Sequence, residues 1–139
     1  MDNSLDGTLK HIVFLARHLG NCDLQCATTA MLLDLGIPVK GSGFDYLERA
    51  IIIYFEDPTQ MLTKDIYPDV GKSFSPKAGS YQVERAIRVA INEAWKNRDS
   101  RIWGYYFPSD RKPSNGEFIS RMARILRLWQ GCSKGVNHE

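Results

Sequence analysis

The sequence predicts an all-α fold: a compact multi-helix domain with a helix-turn-helix, plus an extra N-terminal helix. Three observations predict it. Apolar residues recur at spacings of three and four in segment after segment. Glycines and prolines close those segments. The clearest period of all, Val83, Ala86, Ile87, Ala90, Ile91, Ala94 and Trp95, follows directly on a glycine-containing turn. At 139 residues the chain has the length of one hydrophobic core.

The elements follow in order. Residues 1–20 carry Leu9, Ile12, Val13, Ala16 and Leu19 on one predicted face, closed by Gly20. A second helix is expected over residues 24–35, where Gly36 permits a left-handed cap and Pro38 prevents continuation. A third is expected over residues 44–56, with Phe44, Leu47, Ile51, Tyr54 and Phe55 inward. Its β-branched Ile51–Ile53 run leaves a strand as the alternative. A shorter helix is expected over residues 64–74, which Pro68 can enter only near a first turn or a kink.

The stretch 75–79 reads as a turn, with Ser80 the expected N-cap of a long helix reaching residue 97. The last helix opens on Ser114-Asn115-Gly116-Glu117, the pattern of a capping box, and buries Phe118, Ile119, Met122, Ile125, Leu126 and Trp129. The expected organisation is thus an N-terminal helical extension over 1–23, a helix-turn-helix domain over 24–130 and a flexible tail over 131–139.

A composition of 43% hydrophobic, 24% charged and 11% aromatic residues fits a folded globular protein and excludes a disordered or collagen-like chain. The apolar run Ala50–Phe55 is far short of the ~20 residues that cross a bilayer. Asp2 and Asp6 stand where a secretory signal carries positive charge, so a cytoplasmic location is expected. With three cysteines, Cys22, Cys26 and Cys132, reduced thiols are expected. His18, Cys22 and Cys26 fall at spacings of four but lack the fourth ligand of a structural metal site, so no metal is expected. No orienting third residue or phosphate loop accompanies them, and neither a cofactor nor an enzymatic activity is expected.

Charge is unevenly distributed. Residues 1–61 hold four Lys/Arg and eight Asp/Glu, whereas residues 62–139 hold fourteen and eight. The basic half suits a polyanion, since clustered cations gain affinity by displacing counterions from phosphates; a scattered solvated surface is the alternative.

Within the predicted helix-turn-helix, the small inner residues Ala86, Ala90 and Ala94 allow tight docking of the second helix. At ~100° per residue, Tyr81, Gln82, Arg85, Arg88, Val89 and Asn92 then lie outward or on the flanks, with Glu84 on the opposite shoulder. Gln82, Glu84, Arg85 and Arg88 are the candidate base readers: Arg pairs with guanine, Gln with adenine, and Glu accepts from cytosine. Lys64, Lys72, Lys77 and Ser80 are the candidate phosphate contacts. Glu84 and Arg88 also suit a simple (i, i+4) ion pair of ~0.3–0.5 kcal/mol. On the last helix Arg121, Arg124 and Arg127 form a drifting basic stripe, either a partner or DNA-backbone face or a solvated one.

Specific segments carry a family resemblance. Ile66-Tyr67-Pro68-Asp69-Val70, Val83-Glu84-Arg85-Ala86-Ile87-Arg88 and Ala94-Trp95 resemble the C-terminal effector domain of the sporulation master response regulator of endospore-forming bacteria. Similar landmarks are Leu35-Gly36-Ile37-Pro38, Lys40-Gly41, Tyr46-Leu47, Pro113-Ser114-Asn115 and Glu117-Phe118-Ile119, so the resemblance covers roughly residues 24–128.

It implies six helices, binding of double-stranded DNA at short promoter elements, head-to-tail homodimer pairing on tandem sites through the last helix, and contact with an RNA polymerase sigma subunit. It also implies that Glu84, Arg85 and Arg88 hold DNA-contacting positions. Gln82 replaces a typical arginine and Val89 a common histidine, so a shifted or relaxed site is expected. The family's regulators carry a receiver domain; residues 1–23 are too few for one. If the chain is whole, control by abundance, oligomerisation or the N-terminal helix is expected. A module that titrates or heterodimerises with a full-length regulator is the alternative function.

Overall fold

The computed structural model describes residues 4–137, and every regular element among them is helical. Seven α-helices follow one another: α1 (Ser4–Leu19), α2 (Leu24–Asp34), α3 (Gly43–Glu56), α4 (Tyr67–Lys72), α5 (Ser80–Lys96), α6 (Ser100–Tyr106) and α7 (Asn115–Asn137). A π-helical turn, Leu62–Ile66, leads into α4. Residues 1–3 of the expected first helix and 138–139 of the expected tail lie outside the described residues.

Local chemistry sets most helix ends. Asp23 caps α2 by accepting from the Cys26 amide at 2.8 Å. At its other end Gly36 adopts φ 78°, and the Ile37 and Gly36 amides bond back to Leu32 and Leu33 carbonyls at 3.0 Å each, a Schellman closure. The strand alternative for residues 51–53 is not realised. Ile51, Ile52 and Ile53 are all buried in α3, whose position between α2, α5 and α7 overrides β propensity. Pro68 falls in the first turn of α4, where its missing N–H leaves no helical bond unmade.

Three expectations are corrected, and one segment left unassigned by the sequence is helical. The extension α1 turns Thr8, Ile12, Leu15 and Ala16 inward, while Leu9 is 43% exposed and Val13 half-buried. Packing against both α6 and α7 rotates the buried face towards Leu15. Cys22 and Cys26 are joined as a disulfide rather than reduced. Gly20, at φ 60°, breaks the chain so that Cys22 precedes the α2 cap and Cys26 occupies its first turn, with Cα atoms 5.5 Å apart. Residues 100–106, which show no clear period, form α6 under an Asp99 cap that accepts from the Arg101 and Ile102 amides. Finally, the chain beyond Gly131 remains helical to Asn137; Ser133 is buried and Cys132 packs against the core.

A polar cluster ties the extension down. His11 Nε2 of α1 lies 3.0 Å from Asp34 Oδ2 of α2, and the Tyr106 hydroxyl of α6 donates to the same oxygen at 2.8 Å. Burial, with the Asp34 carboxylate adding to it, holds the Tyr106 phenol above its usual range, so it stays a donor. Trp103 Nε1 donates to the Leu35 carbonyl at 2.9 Å, a buried bond joining α6 to the end of α2.

The second helix of the helix-turn-helix is positioned by two glycines. A Cβ on Gly43 would fall 2.7 Å from the Ala86 carbonyl oxygen and 2.9 Å from the Ala90 Cβ, so α3 and α5 are in backbone contact there. A Cβ on Gly71 would fall 2.0 Å from the Ala78 carbonyl oxygen, where the turn closes with the Ala78 amide donating to the Gly71 carbonyl at 3.0 Å. Gly71→Ala is therefore expected to lower unfolding stability by about 1–3 kcal/mol or more. Gly104→Ala, at a helical position with open space around the new methyl, is expected to raise it by about 0.5–1 kcal/mol. Urea titration of both variants checks the contrast.

Candidate nucleic-acid interface

The π-turn and α4 together form the first arm of the helix-turn-helix, residues 73–79 the turn, and α5 the second arm. Val83, Ile87, Ala90, Ile91 and Ala94 bury one face of α5. The opposite face carries Tyr81, Gln82, Arg85, Arg88 and Val89, all exposed, with Asn92 half-buried in the fourth turn. This is the stripe that the helical period assigns to the outside.

The N-terminus of α5 differs from expectation. Its cap is Gly79, not Ser80, and Ser80 is the first residue inside the helix. Gly79 has no side chain to offer the helix amides; instead Gln82 reaches back, its Oε1 accepting from the Gly79 amide at 2.7 Å. Gln82, expected among the base readers, thus has its oxygen engaged in the free protein while its amide N–H groups remain available.

Glu84 and Arg88 form the ion pair that their spacing allows, with Arg88 Nη1 donating to both carboxylate oxygens at 2.8 and 2.7 Å. Arg85, one turn from the helix start, is exposed and makes no hydrogen bond or ion pair among the described residues. Lys64, Lys72 and Lys77 are all exposed, on the π-turn, at the end of α4 and in the turn before α5. Ser80 is half-buried.

A flank that the sequence reading leaves out borders α5. The loop between α6 and α7 brings Arg111, Lys112 and Asn115 alongside Glu84, Arg88 and Asn92. Asn115 Nδ2 donates to the Glu84 carbonyl and to the Tyr67 hydroxyl, each at 3.1 Å, and burial pushes the Tyr67 phenol up. The capping box at Ser114 forms as expected: the Glu117 amide donates to Ser114 Oγ at 3.2 Å, and Glu117 Oε1 accepts from the Ser114 amide at 2.9 Å.

The three arginines of α7 share one groove of about 920 Å³ with Tyr54, Pro58 and Phe107, but two of them have internal tasks. Arg121 Nε donates to the Tyr106 carbonyl at 2.8 Å and Arg127 to the Phe55 carbonyl at 2.7 Å, so they satisfy the last turns of α6 and α3. Arg124 alone of the three is exposed without a partner among the described residues. No group of His, Cys, Asp or Glu suited to a metal ion occurs among the described residues, and none of their helices is long and apolar enough to cross a membrane.

An all-helical domain that presents an exposed, partly basic helix behind a tight turn belongs to the class of helix-turn-helix effector domains. The model of the family described as "Sporulation initiation factor Spo0A C terminal" matches residues 28–126. The chain belongs to this family of DNA-binding effector domains of sporulation regulators. The match begins inside α2 and ends inside α7, so α1 lies outside it.

Arg111 clamps Glu117 through two bonds, at 3.1 and 2.7 Å, and together with the Ser114 amide holds its carboxyl down from 4.5 to about 2. Because the folded value lies below the unfolded one, the contribution to stability is complete above about pH 4.5 and is lost as pH falls towards about 2. Wild type is expected to melt above Glu117→Gln near neutral pH, and the two melting temperatures to converge across that acid window in a circular-dichroism series.

Proposed function

We propose that the chain is a sequence-specific DNA-binding transcription regulator that lays α5 in the major groove of a short promoter element. The observation that carries this reading is Arg85: a guanidinium with no partner among the described residues, central on the exposed stripe of a helix whose other side is locked into the core. Arg85 is free to meet guanine O6 and N7 in a bidentate contact. Gln82 and the Glu84–Arg88 pair flank it and read neighbouring bases, Gln82 through its free N–H groups. Lys64, Lys72, Lys77 and Ser80 meet the phosphates and fix register rather than sequence.

The groove along α7 supports a second role. Arg124 stands over an apolar floor that includes Phe107 and Leu128, a combination suited to a protein partner. A second copy on a tandem site or an RNA polymerase sigma subunit would use such a surface, and so would a full-length regulator titrated by this chain.

Fluorescence anisotropy against a duplex carrying the family's promoter element and against a scrambled duplex, over a salt series, tests the proposal. A specificity ratio of ~10³ or more is expected. Arg85→Ala is expected to cost ~1–3 kcal/mol and to relax preference at one base pair. Equal, steeply salt-dependent binding to both duplexes would overturn sequence-specific reading and leave the titrating role in its place.

A further inference from the structure

We infer that Lys112, on the loop between α6 and α7, is a phosphate contact of the DNA interface, held ready by Asn92 of α5. This rests on the DNA-binding reading of α5 and adds to it a residue from outside the helix-turn-helix.

Three observations carry it. The first is placement. Lys112 Nζ donates to Asn92 Oδ1, and Asn92 lies in the fourth turn of α5 on the same outer side as Arg85 and Arg88. A helix seated in the major groove has the sugar-phosphate walls along its flanks, so a cation tethered to that flank meets a phosphate rather than a base edge.

The second is charge. Around this flank Arg88 is neutralised by Glu84 and Arg111 by Glu117, whereas the bond recorded for Lys112 is to a neutral amide oxygen. An ammonium has three donors, and the tether to Asn92 uses one.

The third is rigidity. Asn115 pins the loop to the Glu84 carbonyl and the Tyr67 hydroxyl, Pro113 is buried, and the Ser114–Glu117 box fixes the start of α7. Lys112 therefore sits in one register relative to α5 before DNA arrives, and contact does not require a loop to be ordered.

The test uses the full chain with Lys112→Gln, Lys112→Arg and Asn92→Ala, measured by anisotropy on the promoter-element duplex and the scrambled duplex across a salt series. Lys112 is exposed, so its variants are expected to keep the wild-type melting temperature, which circular dichroism verifies. Lys112→Gln is expected to weaken both duplexes by a similar factor, about 3- to 10-fold, and to lower the salt slope by about 1, the signature of one lost phosphate contact. Lys112→Arg is expected to restore the slope. Asn92→Ala is expected to keep the slope while weakening binding, since it removes the tether and not the charge.

An unchanged slope and affinity in Lys112→Gln, with wild type binding normally, overturns the inference and leaves the role of α5 intact. Loss of preference for the promoter element without a change in slope also overturns it, by making Lys112 a base reader. Failure of the wild type to bind either duplex removes the DNA-binding reading and this inference together.

Discussion

Between α3 and α5 the two backbones come so close that Gly43 has no room for a methyl group, with the Ala86 carbonyl and the Ala90 side chain on the other side. The rest of the interface depends on that approach. It fixes the inner face of α5, and with it the direction in which Arg85 points. Gly71 does the same for the turn, since the Ala78 carbonyl occupies the space that any side chain there would need. Small residues set the geometry, and the larger ones around them, Ile87, Ile91, Leu47 and Phe118, supply the burial that holds it.

Arginines in this chain divide by environment rather than by position in the sequence. Arg121 and Arg127 close the carbonyl ends of α6 and α3, where the helix dipoles favour a cation. Arg88 and Arg111 are each clamped by a carboxylate. Arg85 and Arg124 are exposed and make no hydrogen bond or ion pair among the described residues. Net basicity of the second half overstates the charge available to a polyanion, because much of it is already spent on neighbours.

The N-terminal helix is joined to the body by chemistry of two kinds. Ile12, Leu15 and Ala16 bury against α6 and α7, and His11 shares Asp34 with Tyr106. The stacked rings of His11 and Tyr105, with centroids 4.4 Å apart, continue the seam to the surface. A segment outside the family match is thus packed as an integral helix of the fold.

What the sequence by itself determined was local. Helical periodicity assigned the buried and exposed faces of α5 and α7, Gly36 and Pro38 ended α2, and Ser114 with Glu117 started α7, because each depends only on residues within a few positions. Segments decided by distant contacts were not legible. The aromatic run of α6 lacks a period since several of its rings are used, Trp103 against Trp95 and Phe118, and Tyr106 against Asp34.

Leu15 rather than Leu9 turned inward because two helices converge on α1, and the end of α7 stayed helical through burial of Ser133. At the candidate site the sequence supplied Arg85, Gln82, Glu84 and Arg88. Only the tertiary structure engaged Gln82 in the cap at Gly79, paired Glu84 with Arg88 and brought Lys112 to Asn92 across 20 residues, since hydrogen bonds and ion pairs form between groups that the folded chain places within reach.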